Sequence, residues 1–320
     1  MQTVTESTVD SHASGATFYY RPAGAGGTFT VTSTTSDGES GVQKVNFPGL
    51  LGGFEPLTGY DDTTSPYSRT YTWPATIGTE SGAKTVTAYD NIGNTSSATF
   101  AVTPDSSAPI TTDNTASLGS AWKNTDQTVT LTPSDGTGSG VATTRYTTNG
   151  STPTNASPQG TAVNLTADGI YTIKYFSVDN VSNNESVKTA GTQIRIDKTP
   201  PTSVTLNSLP ASIKNGQALS GSAVDGGPSG IASISYYYCA GASCTPSVLI
   251  GTSSTSPSYT IAWNSQPADG VYQVLARATD AAGNTLNSAK QTVTVDNTLP
   301  DTTITAAPAS PSSGSVSFSF

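Results

Sequence analysis

The sequence predicts an all-β chain of tandem β-sandwich domains. Three observations carry that prediction. Only 34% of residues are hydrophobic and 11% charged, while Ser, Thr, Gly, Asn and Pro fill the remainder, so helix formers are scarce and β-branched and turn residues abundant. The 14 Tyr, 8 Phe and 3 Trp sit inside alternating segments, each able to bury one face of a sheet. Finally, one set of landmarks recurs, with Pro109, Pro201 and Pro300 lying 92 and 99 residues apart. A chain of 320 residues has room for about two to three domains.

The first landmark is an Asp-Gly turn that runs into Ser-Gly and a β-branched residue: Asp37 to Val42, Asp135 to Val141, and Asp225 to Ile231. The second is a strand ending in an acidic, Asn-rich turn, with Asp90 and Asn94, then Asp179 and Asn183, then Asp280 and Asn284. Period-2 alternation marks the strand and the Gly/Asn cluster its turn. The third is a last alternating strand followed by an exit that carries an acid and a proline: Asp105 and Pro109, Asp197 and Pro201, Asp296 and Pro300. Proline cannot donate to a ladder, so these are linkers.

The repeats accordingly run over 1–104, 105–197 and 198–296. Residues 297–320 read as a linker and the first strands of a truncated fourth repeat, which makes the chain an excerpt. Trp73 precedes Asp90, and Trp263 precedes Asp280, by 17 residues. The middle repeat has Ala162 in that place and is divergent.

Thirteen basic against 22 acidic residues give a net charge of −9. Residues 1–104 hold nine acids and four bases, 105–197 eight and five, and 198–296 four and four. With no Lys/Arg cluster, nucleic acid and anionic membrane are poor partners, whereas divalent cations suit the acid-rich repeats. No apolar run approaches the ~18 residues that span a bilayer, and Met1 to Glu6 is too polar to begin a signal peptide. Any export signal or anchor is expected outside this sequence.

Cys239 and Cys244 are the only cysteines, and a disulfide stapling a strand-connecting loop is expected, which suits an oxidising compartment. His12 is the only histidine and lies in no nucleophile motif, so hydrolase chemistry is not expected. Asp61 and Asp62 could be imagined as a glycosidase pair, but neighbouring residues on a strand point oppositely, and a solvated loop is the expectation. In the triplet Tyr236, Tyr237 and Tyr238 at least one ring should be exposed, by packing or as a ligand platform.

With these residues in view, the chain resembles the bacterial immunoglobulin-like repeats of large surface adhesins and extracellular multidomain proteins. Ala278 to Asn284 and Val295 to Pro300 carry the likeness most clearly. Residues 111–197 look more like a variant module appended to secreted glycan-processing enzymes. The resemblance implies seven-stranded Greek-key sandwiches arranged end to end, in a bacterial extracellular or cell-surface setting. Asp168 to Tyr171 and Asp269 to Tyr272 would then sit where such sandwiches close a tyrosine corner. Repeat one has Ser81-Gly82-Ala83-Lys84 there and must close otherwise.

In that topology the loops after the second and sixth strands share the pole where the chain enters. Three acids should therefore converge at each junction: Asp105, Asp135 and Asp179 at the first, and Asp197, Asp225 and Asp280 at the second. Asn183 and Asn284 would add neutral oxygens, and the implied cofactor is Ca²⁺, which takes six to eight oxygen ligands. Repeat one has Asp37 and Asp90 but no linker acid, so its site should be weaker or absent.

Three functions stay open. The first is a structural or adhesive stalk that spaces a distal domain from the cell, with the neighbouring repeats of the parent chain as its immediate partners. The second is a module that binds glycan, a surface or itself. The third is a set of accessory repeats of a secreted hydrolase.

Overall fold

The computed structural model describes residues 2–303. The strands expected around Val316 to Phe320 lie outside the described residues. The chain divides into two compact units. Within the described residues one contains 2–120, 127–165 and 170–194, the other 121–126, 166–169 and 195–303. All of the first repeat and most of the second belong to the first unit, and the third repeat belongs to the second.

In repeat one, Gln2–Glu6, Gly27–Ser33 and Tyr67–Trp73 form a three-stranded antiparallel sheet. A six-stranded sheet faces it, in the order Ser11–Ser14, Thr17–Tyr20, Thr95–Pro104, Gly82–Asp90, Val42–Phe47, Tyr60–Asp62. The inward positions are large and aromatic. Phe18 stacks on Phe29 with ring centroids 3.9 Å apart, and Phe29 on Tyr71 at 5.0 Å. Such pairs add to the free energy of burial itself.

Repeat two has smaller sheets: Ile110–Asp113 with Gln127–Ser134 and Ala162–Leu165, and Val141–Thr147 with Lys174–Asp179 and Lys188–Thr189. Repeat three is built on Gly270–Asp280 and Ile231–Ala240, and its core gathers Trp263, Tyr236, Ile234, Val274 and Val293. Here the Cys239–Cys244 disulfide closes the turn that leaves Ile231–Ala240.

Each repeat has more strands than the seven expected. One reason recurs: the first strand of each sandwich is split, and its second piece crosses to pair parallel with the last strand. Thr17–Tyr20 does so with Thr95–Pro104, Trp122–Lys123 with Ile194–Ile196, and Ser212–Ile213 with Gln291–Val295. That parallel pairing places each linker acid. The Asp105 N–H donates to Tyr20 O at 2.8 Å, Asp197 N–H to Lys123 O at 2.8 Å, and Asp296 N–H to Ile213 O at 2.9 Å. Each acid is thus the residue at which a sandwich releases the chain.

Asp61 and Asp62 lie on the strand Tyr60–Asp62, not in a solvated loop. Asp61 pairs with Lys44 at 2.8 Å and accepts from Asn46, whereas Asp62 accepts from the Thr64 and Ser68 N–H groups. Within the tyrosine triplet no ring stands exposed. Tyr236 is buried, Tyr237 lies under the Arg277 guanidinium, and Tyr238 packs on Trp263 and Tyr272.

The corner of repeat three is closed by the Tyr272 hydroxyl donating to Ala268 O at 2.7 Å. In repeat one that role falls to Tyr20, whose hydroxyl lies 3.2 Å from Glu80 O and accepts from the Glu80 N–H at 2.8 Å.

Candidate metal centres

The first and second landmarks are strand partners. Val42 lies opposite Asp90, Val141 opposite Asp179, and Ile231 opposite Asp280, and in each case the register slips by one residue immediately afterwards. A bulge of this kind re-aims side chains at the end of a sheet. The glycine before it has positive φ in all three repeats, 81° at Gly41, 88° at Gly140 and 75° at Gly230, which explains the Ser-Gly signature. Turn and strand end are therefore locked face to face, and the linker acid meets them from the preceding strand.

Among the described residues, two groups of acids come together, Asp105 with Asp135 and Asp179, and Asp197 with Asp225 and Asp280. In each group one carboxylate oxygen per residue lies within 4.8 Å of the others. The scaffolding repeats position by position. Asp105 Oδ2 accepts the Ser139 N–H at 2.7 Å and Asp197 Oδ2 the Ser229 N–H at 2.9 Å. Asp135 Oδ2 accepts from Gly140 and Asp225 Oδ2 from Gly230. Asp179 Oδ1 accepts from Val181 and Asn183, and Asp280 Oδ1 from Ala282 and Asn284.

Asn183 and Asn284 are placed otherwise than as oxygen donors to an ion. Their amide nitrogens donate to Asp179 Oδ2 and Asp280 Oδ2, and also to the backbone oxygens of Asp105 and Asp197. Each brace ties the linker to the acidic turn and holds the carboxylate in orientation.

Electrostatics separate Asp135 and Asp179 of the first trio from the pair in repeat one. Burial, reinforced by the carboxylates of Asp105 and Asp179 and opposed by the Gly140 N–H, raises the Asp135 pKa above the ordinary value. Burial also raises that of Asp179; Asn183 opposes and Asp105 adds to the shift. Asp37 and Asp90 stand in the same local turns without a linker acid, and their pKa values are lowered. The Ser40 hydroxyl leads at Asp37. At Asp90 the hydrogen bonds of Asn94, Ile92 and Gly93 together outweigh desolvation.

Several features of the trios escape a sequence reading. Asp135 Oδ1 and the Ser139 and Ser229 hydroxyls are buried with no hydrogen-bond partner, and Ser139 is only 6% exposed. Gly138 and Gly227 leave room for the carboxylates. A Cβ on Gly138 would stand 2.5 Å from Asp135 Oδ2, and one on Gly227 2.0 Å from Asp197 Oδ1. The recurring Ser-Gly pair was the available signal for the hydroxyls. An open groove of about 690 Å³, bordered by Asp105, Asp135 and Gly138, gives solvent access to the first trio.

Two family models match parts of the chain. Residues 244–297 match the family model of a bacterial Ig-like domain, and residues 119–189 that of the chitobiase/β-hexosaminidase C-terminal domain. The chain is built of immunoglobulin-like repeats. Among solved structures, the fibronectin(III)-like modules of Clostridium thermocellum CbhA are 14% identical, covering 59% of this chain and 94% of theirs at a TM-score of 0.32. A tetra-tandem repeat from the extending region of a large adhesion protein is 17% identical, covering 93% of this chain and 74% of that one at 0.29. Chicken CNTN1 FN1–FN3 domains are 12% identical, covering 92% and 97% at 0.30. No curated protein matches the sequence at a significant level.

His12 stands opposite Tyr19 in the hairpin of repeat one. Among the described residues no helix is long and apolar enough to cross a membrane.

Proposed function

We propose that the chain is a non-catalytic structural segment of a bacterial extracellular or cell-surface protein, a run of spacer repeats bounded near 104, 197 and 296 and pinned by Ca²⁺ where one repeat hands over to the next. The observation that carries this reading is the twice-repeated acid trio, in which the linker acid leaves one sandwich and the other two belong to the following one. Carboxylates within 4.8 Å of one another repel by roughly 3 kcal/mol per pair at an effective dielectric of 20. A cation removes that repulsion.

The donor set fits calcium. Hard carboxylate oxygens, with the unpartnered Ser139 and Ser229 hydroxyls and Asp135 Oδ1 beside them, suit an oxygen-seeking ion, and no sulfur or imidazole takes part. When bound, the ion supplies charge neutralisation and a shared anchor. The chain supplies orientation through the Asn183 and Asn284 braces and the bulged turns. Saturation at a hundredfold excess over a dissociation constant of about 0.1 to 1 mM would add about 2.7 kcal/mol per site.

A second reading, accessory repeats of a secreted glycan-processing enzyme, is favoured by the family match over residues 119–189. The rings of Tyr236, Tyr237 and Tyr238 are packed or covered, which disfavours a stacking platform there.

Calcium titration calorimetry, small-angle scattering and thermal melts, each with and without chelator, test the cation reading. Calcium is expected to bind at two sites, raise the melting temperature and narrow the distribution of dimensions. An unchanged maximum dimension together with an unchanged melting temperature would eliminate it.

A further inference from the structure

The opening Asp and the closing Asn of the acidic turn are alike in all repeats, Asp90 and Asn94, Asp179 and Asn183, Asp280 and Asn284, but the position before the closing Asn is not. It is Gly93 in repeat one, with φ 97°, Gly283 in repeat three, with φ 95°, and Ser182 in repeat two, with φ 69°. A left-handed backbone strains a serine and leaves a glycine unstrained, so the serine calls for a reason. Its contacts provide one. The Ser182 hydroxyl donates to Val9 O at 2.7 Å, and its own carbonyl accepts from Arg21 Nη1 at 2.9 Å. Val9 and Arg21 belong to repeat one, and all four groups lie in the first compact unit.

Arg21 is held ready for this contact. Its other terminal nitrogen pairs with Asp10, which is 2% exposed and also accepts the Ala25 N–H. The Arg21 N–H donates to Asp10 O at 2.9 Å. Gly24 packs against the same carboxyl, where a Cβ would lie 2.7 Å from Asp10 Cβ. The residue before Arg21 is Tyr20, whose carbonyl receives the linker N–H of Asp105. One short stretch of repeat one thus holds both the linker and the tip of the Asp179–Asn183 turn.

We propose that Ser182 and Arg21 form a lock between the first and second repeats that holds the joint without any ion. It goes beyond the cation reading and stands without it. Ser182 and Arg21 are positioning residues: they set the angle at which the turn of repeat two meets repeat one.

The test uses the full chain with spin labels on two exposed sites, Ser96→Cys in repeat one and Ala156→Cys in repeat two, with the native disulfide left oxidised. The distribution of distances between the labels is measured by pulsed electron resonance in chelator and in calcium. The parent is expected to give a narrow distribution in both. Ser182→Gly relieves the backbone strain and removes the hydroxyl, so repeat two should melt no lower than in the parent while the distribution in chelator broadens at least twofold.

Arg21→Lys keeps a charge beside Asp10 but lacks the fork that reaches Ser182, and should broaden the distribution likewise with repeat one still folded. A parent already broad in chelator, or a Ser182→Gly chain as narrow as the parent, overturns the lock. Calorimetric calcium affinity, measured on the same samples, reports separately on the cation reading.

Discussion

Replacing Gly227 with alanine puts the second trio to a direct test. A Cβ there would stand 2.0 Å from Asp197 Oδ1 and 2.5 Å from both Cγ and Oδ2, against roughly 3.4 Å for an ordinary contact, so the carboxylate must retreat by about 1 Å or more. Asp197 is fully buried and accepts the Thr199 and Ser229 N–H groups. Hydrogen bonds to a charged group contribute about 1.5–3 kcal/mol each. Weakening both should cost repeat three about 2 kcal/mol and lower its melting temperature in chelator by roughly 10 °C.

The same retreat carries the oxygen out of the 2.3–2.6 Å shell typical of calcium, so affinity should fall at least tenfold, or about 1.4 kcal/mol. Gly138→Ala should act alike on the first trio. Gly136→Ala is the control. Its φ is +56° with nothing within 4 Å of an added Cβ, so it should cost about 1 kcal/mol of backbone strain and leave affinity unchanged. Calorimetric titration and thermal melts read both quantities. Calcium affinity and apo melting temperature both equal to the parent's in Gly227→Ala would refute the reasoning.

Further expectations concern stability. Tyr236 is buried, its hydroxyl donates to Tyr259 O at 2.6 Å, and burial pushes its pKa up to about 12. A raised acid pKa favours the neutral form in the fold, so stability is intact below the unfolded value near 10 and declines from there towards about 12. Repeat three should unfold in that alkaline window, and Tyr236→Phe should suppress this loss at a cost of about 1 kcal/mol at neutral pH. Glu185 accepts the Thr111 N–H and hydroxyl and the Ser177 N–H, and pairs with Lys188. Glu185→Ala orphans those donors and should destabilise repeat two by about 3 kcal/mol in chemical denaturation. Replacing Cys239 and Cys244 by serine opens a loop of sequence separation 5, so repeat three alone should lose at most about 2 kcal/mol.

The sandwich class and the acids that meet in each trio were legible because they rest on local chemistry. Alternation marks strands, Ser-Gly marks turns whose φ only glycine adopts readily, and acids recurring at matched places in a known topology point to one pole. A sequence can carry such signals because each depends on a few neighbouring residues.

Other features were not legible. The amide nitrogens of Asn183 and Asn284, rather than their oxygens, face the carboxylates, and that orientation is set by the position of the linker carbonyl 78 and 87 residues away. The covering of Tyr237 and Tyr238 depends on Arg277, Trp263 and Tyr272 arriving from other strands. Ser182 reads as an ordinary turn residue until Val9, 173 residues distant, comes within reach. The sequence by itself determined which residues turn, which alternate and where acids recur, since those are properties of short segments. Only the tertiary structure decided which oxygens face one another, which polar atoms are left unpartnered and which turn touches the neighbouring repeat, because contacts between distant segments depend on how whole sheets pack.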